Sequence, residues 1–293
     1  MTLDSVQNAT PRANVSGQSS VPFTKGHGTG NDFVIIDSLD SGWNATAAQV
    51  AALCDRRMGI GADGLLRVVT EDGRFFMDYR NADGSIAETC GNGLRVFCTY
   101  LHSQGLLAAG RHEIGTRGGV VIADITADGA VSVDMGPAKL MSGACTVEVL
   151  NHAGTASTLG AIAVAMPNPH CVAMVDDLAE AGPLSTKPTV DVALFPDDAN
   201  VEFVRWVADA HIAMRVWERG VGETLSCGSG ACAAAFAAAT AAGLQGEWTL
   251  TVDVPGGQLT VSFDQRGHLH LAGPAVLVAT GHVDMSNLTA ASA

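Results

Sequence analysis

The sequence predicts an α+β fold of two pseudo-symmetric homologous halves, each a curved, mostly antiparallel sheet wrapped around one central helix. Three observations predict it. First, a repeat runs through the chain in order. Asn31 precedes Cys90 by 59 positions and Asn168 precedes Cys227 by 59, while Pro137 and Pro274 each follow their cysteine by 47. Second, local words agree: Met135-Gly-Pro-Ala138 matches Ala272-Gly-Pro-Ala275, and Gly118-Gly119 echoes Gly256-Gly257. Third, strand-like runs dominate each half. The one clear helix in each opens on a cysteine and glycines, Cys90-Gly91-Asn92-Gly93 and Cys227-Gly228-Ser229-Gly230.

Residues 1–21 are rich in Ser, Asn, Thr and Gln, carry no apolar core, and read as a disordered tail rather than a signal peptide. The loop Gly26–Asp32 then leads into a strand at Phe33–Asp37, and Ala45–Arg57 has helical composition. Leu65–Val69 and Arg74–Tyr79 read as strands joined through Asp72-Gly73. The turn cluster Asn81–Ser85 leads to the first cysteine helix, about Asn92–His102, with Gly105 placed as a C-cap. Val120–Ile125 and Ala130–Met135 alternate around Asp128-Gly129 as a hairpin.

The second half repeats this plan. Strands are expected near Ala161–Ala165, Cys171–Val175, Val201–Val207 and His211–Trp217, and an alanine-rich helix over about Gly228–Ala242. Strands follow at Thr249–Val254, Leu259–Phe263 and His268–Leu271. Alanine side chains let a surrounding sheet approach closely. The halves are bounded as 22–134 and 135–272, with 273–285 packing back onto the first.

A net charge of −14 argues against nucleic acid or an anionic membrane surface as partner, and the most apolar stretch, Ala231–Leu244, is too short to cross a bilayer. The chain has seven cysteines, an odd number that points to a reducing, cytoplasmic setting. None is spaced as CxxC, so no structural metal site is expected. Cys54, Cys98, Cys145, Cys171 and Cys232 read as structural thiols.

Cys90 and Cys227 read differently. A thiol at a helix start meets uncapped N–H groups and the positive end of the macrodipole, which lowers its pKa from about 8.5 toward neutrality. Two such thiols in matching frames fit two-base chemistry, in which one face of a carbon loses a proton and the other gains one. The N–H groups of Gly91, Asn92, Gly228 and Ser229 are placed to hold a carboxylate and steady a carbanion-like transition state. Gly28-Thr29-Gly30 precedes a strand where a dinucleotide fingerprint must follow one. Lys25, Lys139 and Lys187 offer no persuasive Schiff-base setting, which argues against a pyridoxal-phosphate racemase. A non-catalytic thiol redox switch using the same two cysteines is the remaining alternative.

His27–Phe33, Arg80–Ser85, Glu88–Gly93, Asn168-Pro-His170 and Glu218–Thr224 leading into Ser226–Cys232 together resemble diaminopimelate epimerases, from about Phe23 to Val283. The resemblance implies a homodimer of that fold, interconverting LL- and meso-2,6-diaminopimelate without cofactor in lysine and peptidoglycan precursor synthesis. It implies Cys90 and Cys227 as the acid/base pair and Asn31, Asn81, Asn168, Asn200, Glu218 and Arg219 as substrate contacts. Gly91, Asn92, Gly228 and Ser229 become the carboxylate cradles, and His170 and Glu218 the groups that tune the thiols. Another cofactor-independent racemase of this fold, acting on proline or hydroxyproline, is the nearest rival. Gly64 departs from the pattern, since many members carry glutamine there.

Overall fold

The computed structural model describes residues 20–151 and 153–288. The tail expected over 1–21 thus lies outside the described residues up to position 19. Ser20 and Val21 belong to a strand, because Val21 is buried opposite Val283 from the far end of the chain.

The first half runs β1 (Ser20–Gly28), β2 (Asn31–Asp37), α1 (Ala47–Cys54), β3 (Gly64–Glu71), β4 (Arg74–Asn81) and α2 (Gly91–Ser103). It continues through β5 (Gly110–Thr116), β6 (Gly119–Ile125) and β7 (Val131–Pro137). Two residues, β8 (Lys139–Leu140), then lead into β9 (Cys145–Leu150) and β10 (Ala156–Met166). Next come β11 (Asn168–Met174), β12 (Thr189–Val190), β13 (Asn200–Ala208), β14 (His211–Glu218), β15 (Gly222–Thr224) and α3 (Gly228–Ala241). The chain closes with β16 (Trp248–Val254), β17 (Gly257–Phe263), β18 (His268–Ala272) and β19 (Ala275–Asp284).

The repeat is a repeat of topology. β2 pairs in parallel with β3, and β11 in parallel with β13. Antiparallel hairpins β3–β4 and β13–β14 follow, then the helices α2 and α3, then the meanders β5–β6–β7 and β16–β17–β18. Besides those two parallel pairs, only β4–β5 and β14–β16 run parallel among the described residues, so the sheet is mostly antiparallel as predicted.

Each helix is the axis of a core. Leu94, Phe97, Cys98 and Leu101 of α2 pack against Phe33, Leu66, Met77 and Val133. In α3 the run Ala231–Ala235 and Ala237–Ala239 is buried beneath Val164, Val172, Val216 and Val252. A methyl-sized helix surface leaves room for those larger strand residues, and each fully buried Val or Leu adds about 1.5–3 kcal/mol. Among the described residues no helix is long and apolar enough to cross a membrane.

The halves are joined by strands that change sides. β7 pairs with β18, and β19 crosses to β1. Two local readings need correction. Gly26–Gly28 is strand, not loop: β1 and β2 form a hairpin whose turn is Thr29-Gly30, both at positive φ (49° and 85°). The helix expected over Ala45–Arg57 is only Ala47–Cys54, capped by Thr46 with Gln49 in a reciprocal box. It stops because the Asp55 carboxylate accepts the N–H groups of Arg57 and Met58.

Candidate active site

Cys90 and Cys227 are the N-cap residues of α2 and α3. Each has extended backbone, and each sulfur accepts the N–H three residues on: Gly93 at 3.3 Å and Gly230 at 3.4 Å. Glycine at that third position gives the sulfur room. A Cβ on Gly230 would stand 3.3 Å from the Cys227 sulfur and 2.8 Å from Glu202 Oε1.

The two helix starts meet. A Cβ on Gly228 would stand 3.4 Å from the Cα of Gly91 and 3.4 Å from Asn92 Oδ1. The contact is tied across the halves by Asn92, whose Nδ2 donates to Ser226 O at 3.0 Å and to Asn31 Oδ1 at 3.3 Å. Thr29 Oγ1, in the β1–β2 turn, donates to Ser226 Oγ at 2.6 Å.

Asn31 faces the first cysteine, with the Cys90 thiol donating to Asn31 Oδ1 at 3.7 Å. Asn31 is held from behind by Asp63 Oδ2 at 2.8 Å, and Arg56 clamps Asp63 to Asp32. Asn200 faces the second cysteine, donating from Nδ2 to Cys227 Sγ at 3.6 Å and accepting the Arg219 N–H at 2.9 Å. The Ser229 hydroxyl is 3.6 Å from the same sulfur. Glu218 accepts from Thr224 Oγ1, and its charge acts on the nearby Cys227 thiol.

Three expected site residues bond elsewhere. Asn168 Oδ1 is 3.1 Å from His170 Nε2, and Asn81 Nδ2 donates to Ser85 Oγ at 2.9 Å. The Arg219 guanidinium is exposed and donates to Asp197 O at 3.0 Å. His170 is fully buried with its Nδ1 2.7 Å from Glu202 Oε1, so it meets the cysteine site through that carboxylate.

The electrostatics differ from the helix-dipole expectation. Burial, opposed by the Gly93 N–H and reinforced by Glu218, pushes the Cys90 thiol up to about 11. Burial and the nearby Glu218 and Glu202 push Cys227 well above the ordinary thiol range. Both carboxyls are themselves raised, chiefly by burial. Removal from water outweighs the helix ends, so both thiols are favoured in the protonated form.

Glu202 and Arg95 escape a sequence reading. Glu202 lies two residues from Asn200 on β13, hence on the same face, inside an otherwise apolar run. Arg95 has no exposed surface and meets only neutral oxygens: Gly91 O at 3.3 Å, Thr29 Oγ1 at 3.4 Å and Asn92 Oδ1 at 3.1 Å. Its Nε has no partner, and burial brings the guanidinium down to about 10. At Gly64 a side chain would strike Arg80 O at 2.5 Å, so this backbone is shaped for glycine. Among the described residues no group of three or more His, Cys, Asp and Glu side chains is arranged to hold a metal.

A duplicated α+β chain with one cysteine capping each of two abutting helices has the architecture of a racemase and epimerase fold. A Bacillus anthracis phenazine biosynthesis protein of the PhzF family shares it, with a TM-score of 0.68 at 16% identity over 90% of this chain and 99% of that one. So does a probable proline racemase from Agrobacterium radiobacter K84, with a TM-score of 0.63 at 13% identity over 90% and 92%. The chain belongs to the diaminopimelate epimerase family, whose profile matches residues 23–141 and 162–285. The diaminopimelate epimerase of Streptomyces coelicolor is 46% identical over 90% of this chain and 96% of its own length. Those of Thermobifida fusca and Corynebacterium glutamicum are 45% and 44% identical, each over 91% of this chain and 99% of its own. By family it is an isomerase.

Proposed function

We propose that this chain interconverts LL- and meso-2,6-diaminopimelate without a cofactor, using Cys90 and Cys227 as the two acid/base groups. The contact between Gly91 and Gly228 supports this reading most directly, because it sets the two cysteine-capped helix starts against one another. A substrate α-carboxylate bound there accepts N–H groups from both helices, at Gly91-Asn92 and Gly228-Ser229. The α-carbon then lies between the sulfurs. One thiolate removes the proton from one face while the opposite thiol protonates the other, and the roles reverse with direction.

The raised thiols fit this order of events. A bound substrate brings its own α-ammonium, a positive charge that favours a thiolate beside it, so the thiolate forms when there is a proton to move. Asn31 and Asn200 orient the sulfurs, and Glu218 and His170 tune them, His170 through Glu202. Glu218 and Arg219 are assigned to the distal ammonium and carboxylate, with Asn81 and Asn168 as further contacts. A homodimer acting in the cytoplasm, supplying lysine and peptidoglycan precursors, completes the proposal.

Chiral chromatography of LL-diaminopimelate incubated with the reduced protein tests the substrate. Formation of the meso isomer, with L-proline and trans-4-hydroxy-L-proline left unchanged, is expected. Inversion of either imino acid with diaminopimelate untouched would move the activity to the rival substrates.

A further inference from the structure

The two active-site cysteines are not the only thiols brought together. Cys145 opens β9 and Cys171 lies in β11, and their sulfurs are 3.5 Å apart. Among the described residues this is the one thiol–thiol hydrogen bond, and both cysteines are free. The topology makes the meeting. Cys145 pairs with Ala161 and Cys171 with Ala163 of the same strand β10, two residues apart and therefore on one face. Alanine at both partner positions leaves the space between the sulfurs unfilled by larger side chains.

The pair is asymmetric. Cys145 lines a cavity of about 470 Å³ together with Gly143, Ala144, Gly160 and Ala161, whereas Cys171 has no exposed surface and stands behind it. The hydrogen bond between the two thiols holds Cys145 below its ordinary range, while the same bond and burial hold Cys171 up. Cys54, Cys98 and Cys232 lack such a partner, and burial takes each up to about 12.

We propose that Cys145 and Cys171 form a peroxide-reactive pair, Cys145 attacking and Cys171 resolving, which closes to a disulfide joining β9 to β11. The Cys145 thiolate attacks one peroxide oxygen, breaking the O–O bond and giving a sulfenic acid and hydroxide, which takes up the proton released from Cys145 as water. The Cys171 sulfur then attacks the sulfenic sulfur, expelling hydroxide, which leaves as water with the Cys171 proton. Two thiols are oxidised, hydrogen peroxide is reduced, and two waters form. Closing from the observed separation to a bond of about 2.05 Å needs only a small adjustment of the side chains. β11 also carries Asn168 and His170, so the link fastens the strand that holds two candidate site residues.

The test uses the folded protein with Cys90→Ser and Cys227→Ser, which removes the active-site thiols from the chemistry. After brief hydrogen peroxide treatment and alkylation of remaining thiols, cyanogen bromide cleaves after Met141, Met166 and Met174. This separates fragment 142–166, with Cys145, from fragment 167–174, with Cys171. The expected product is a single linked species about 2 Da lighter than the two reduced fragments together, and reductant splits it. Cys145→Ser abolishes that species. Cys171→Ser leaves Cys145 trapped as a dimedone adduct. Recovery of both cysteines fully alkylated, or over-oxidation of Cys145 without a linked species, would overturn the proposal.

Discussion

Gly91 and Gly228 stand so close that a Cβ on Gly228 would sit 3.4 Å from the Cα of Gly91 and 2.9 Å from Leu271 Cδ2. Neither glycine needs a left-handed backbone, since neither has positive φ. Glycine is required here because two helix starts come together, each presenting unpaired N–H groups to one space.

That contact predicts the effect of Gly228→Ala. The methyl group forces the helix starts apart or displaces Leu271, an overpacking cost of about 1–3 kcal/mol. A shift of this kind at the reacting centre lowers kcat/KM by roughly 100-fold. The protein should still fold, with a lowered thermal midpoint. Steady-state kinetics alongside a melting curve separates the two effects.

Glu218 predicts a pH effect of definite sign. After burial itself, its negative charge is a main reason the thiols resist ionisation, opposed at Cys90 by the Gly93 N–H. Iodoacetamide labelling of Cys90 in the free protein should therefore rise with a pKa of about 11. Glu218→Gln removes the charge and should move that rise to lower pH. Labelling rates followed from pH 7 to pH 11, with Cys90 resolved by mass spectrometry, check it. A rise that stays put or moves upward would contradict the assignment.

Arg95 predicts the opposite sign. Its guanidinium favours the Cys90 thiolate and also fixes the Asn92 amide that bridges to Ser226. Arg95→Met should raise the pH at which Cys90 labels and lower kcat by about 100-fold. Arg95→Lys should restore Cys90 labelling at the lower end of the pH range, where the ammonium still carries its charge, while recovering only part of kcat, because one ammonium does not reproduce the fork. A structural role alone would not separate these two variants by pH.

Asp78 predicts a stability effect away from the cysteines. Its carboxylate has 1% exposure and accepts from Arg67, Arg80 and Arg117. Burial acts to raise its pKa, but the three guanidinium hydrogen bonds outweigh it and hold the carboxyl below its ordinary range. A depressed folded pKa contributes stability above the unfolded value of 3.8, lost as pH falls through the folded value. Asp78→Asn leaves three partly exposed guanidinium groups without their shared carboxylate and should cost about 1.5–3 kcal/mol at pH 7. Chemical denaturation at pH 7 and at pH 3 should show the gap between variant and parent narrowing on acidification.

What was legible in the sequence was whatever repeats locally. The cysteine-capped helices, the hairpins β3–β4 and β6–β7, and the strands that flank α3 all carry their own periodicity and turn residues. β5 was not read, because Gly110-Arg-His-Glu113 lacks an apolar alternation and is strand only by pairing with β6. The pairing of β7 with β18 depends on contacts between halves that no local pattern records. Asn31 is marked in the sequence by the repeat that pairs it with Asn168, whereas Asn200 is marked by the family resemblance alone. Arg95 and Glu202 are not marked, since a charged residue within an apolar run gives no sign of being buried without a counterpart or beside a buried histidine. The thiol pKa direction was misjudged for a related reason: a helix start is visible in sequence, but the depth of its burial is not.

The central claim is that Cys90 and Cys227 serve opposite faces of one carbon. Deuterium incorporation at the α-carbon of LL-diaminopimelate in heavy water, under reducing conditions, tests it most directly in the parent, Cys90→Ala and Cys227→Ala proteins. The account predicts incorporation with inversion in the parent and loss of inversion by at least about 1,000-fold in each variant. Parent-like inversion in either single variant would show that one thiol suffices, and the two-base account would be wrong.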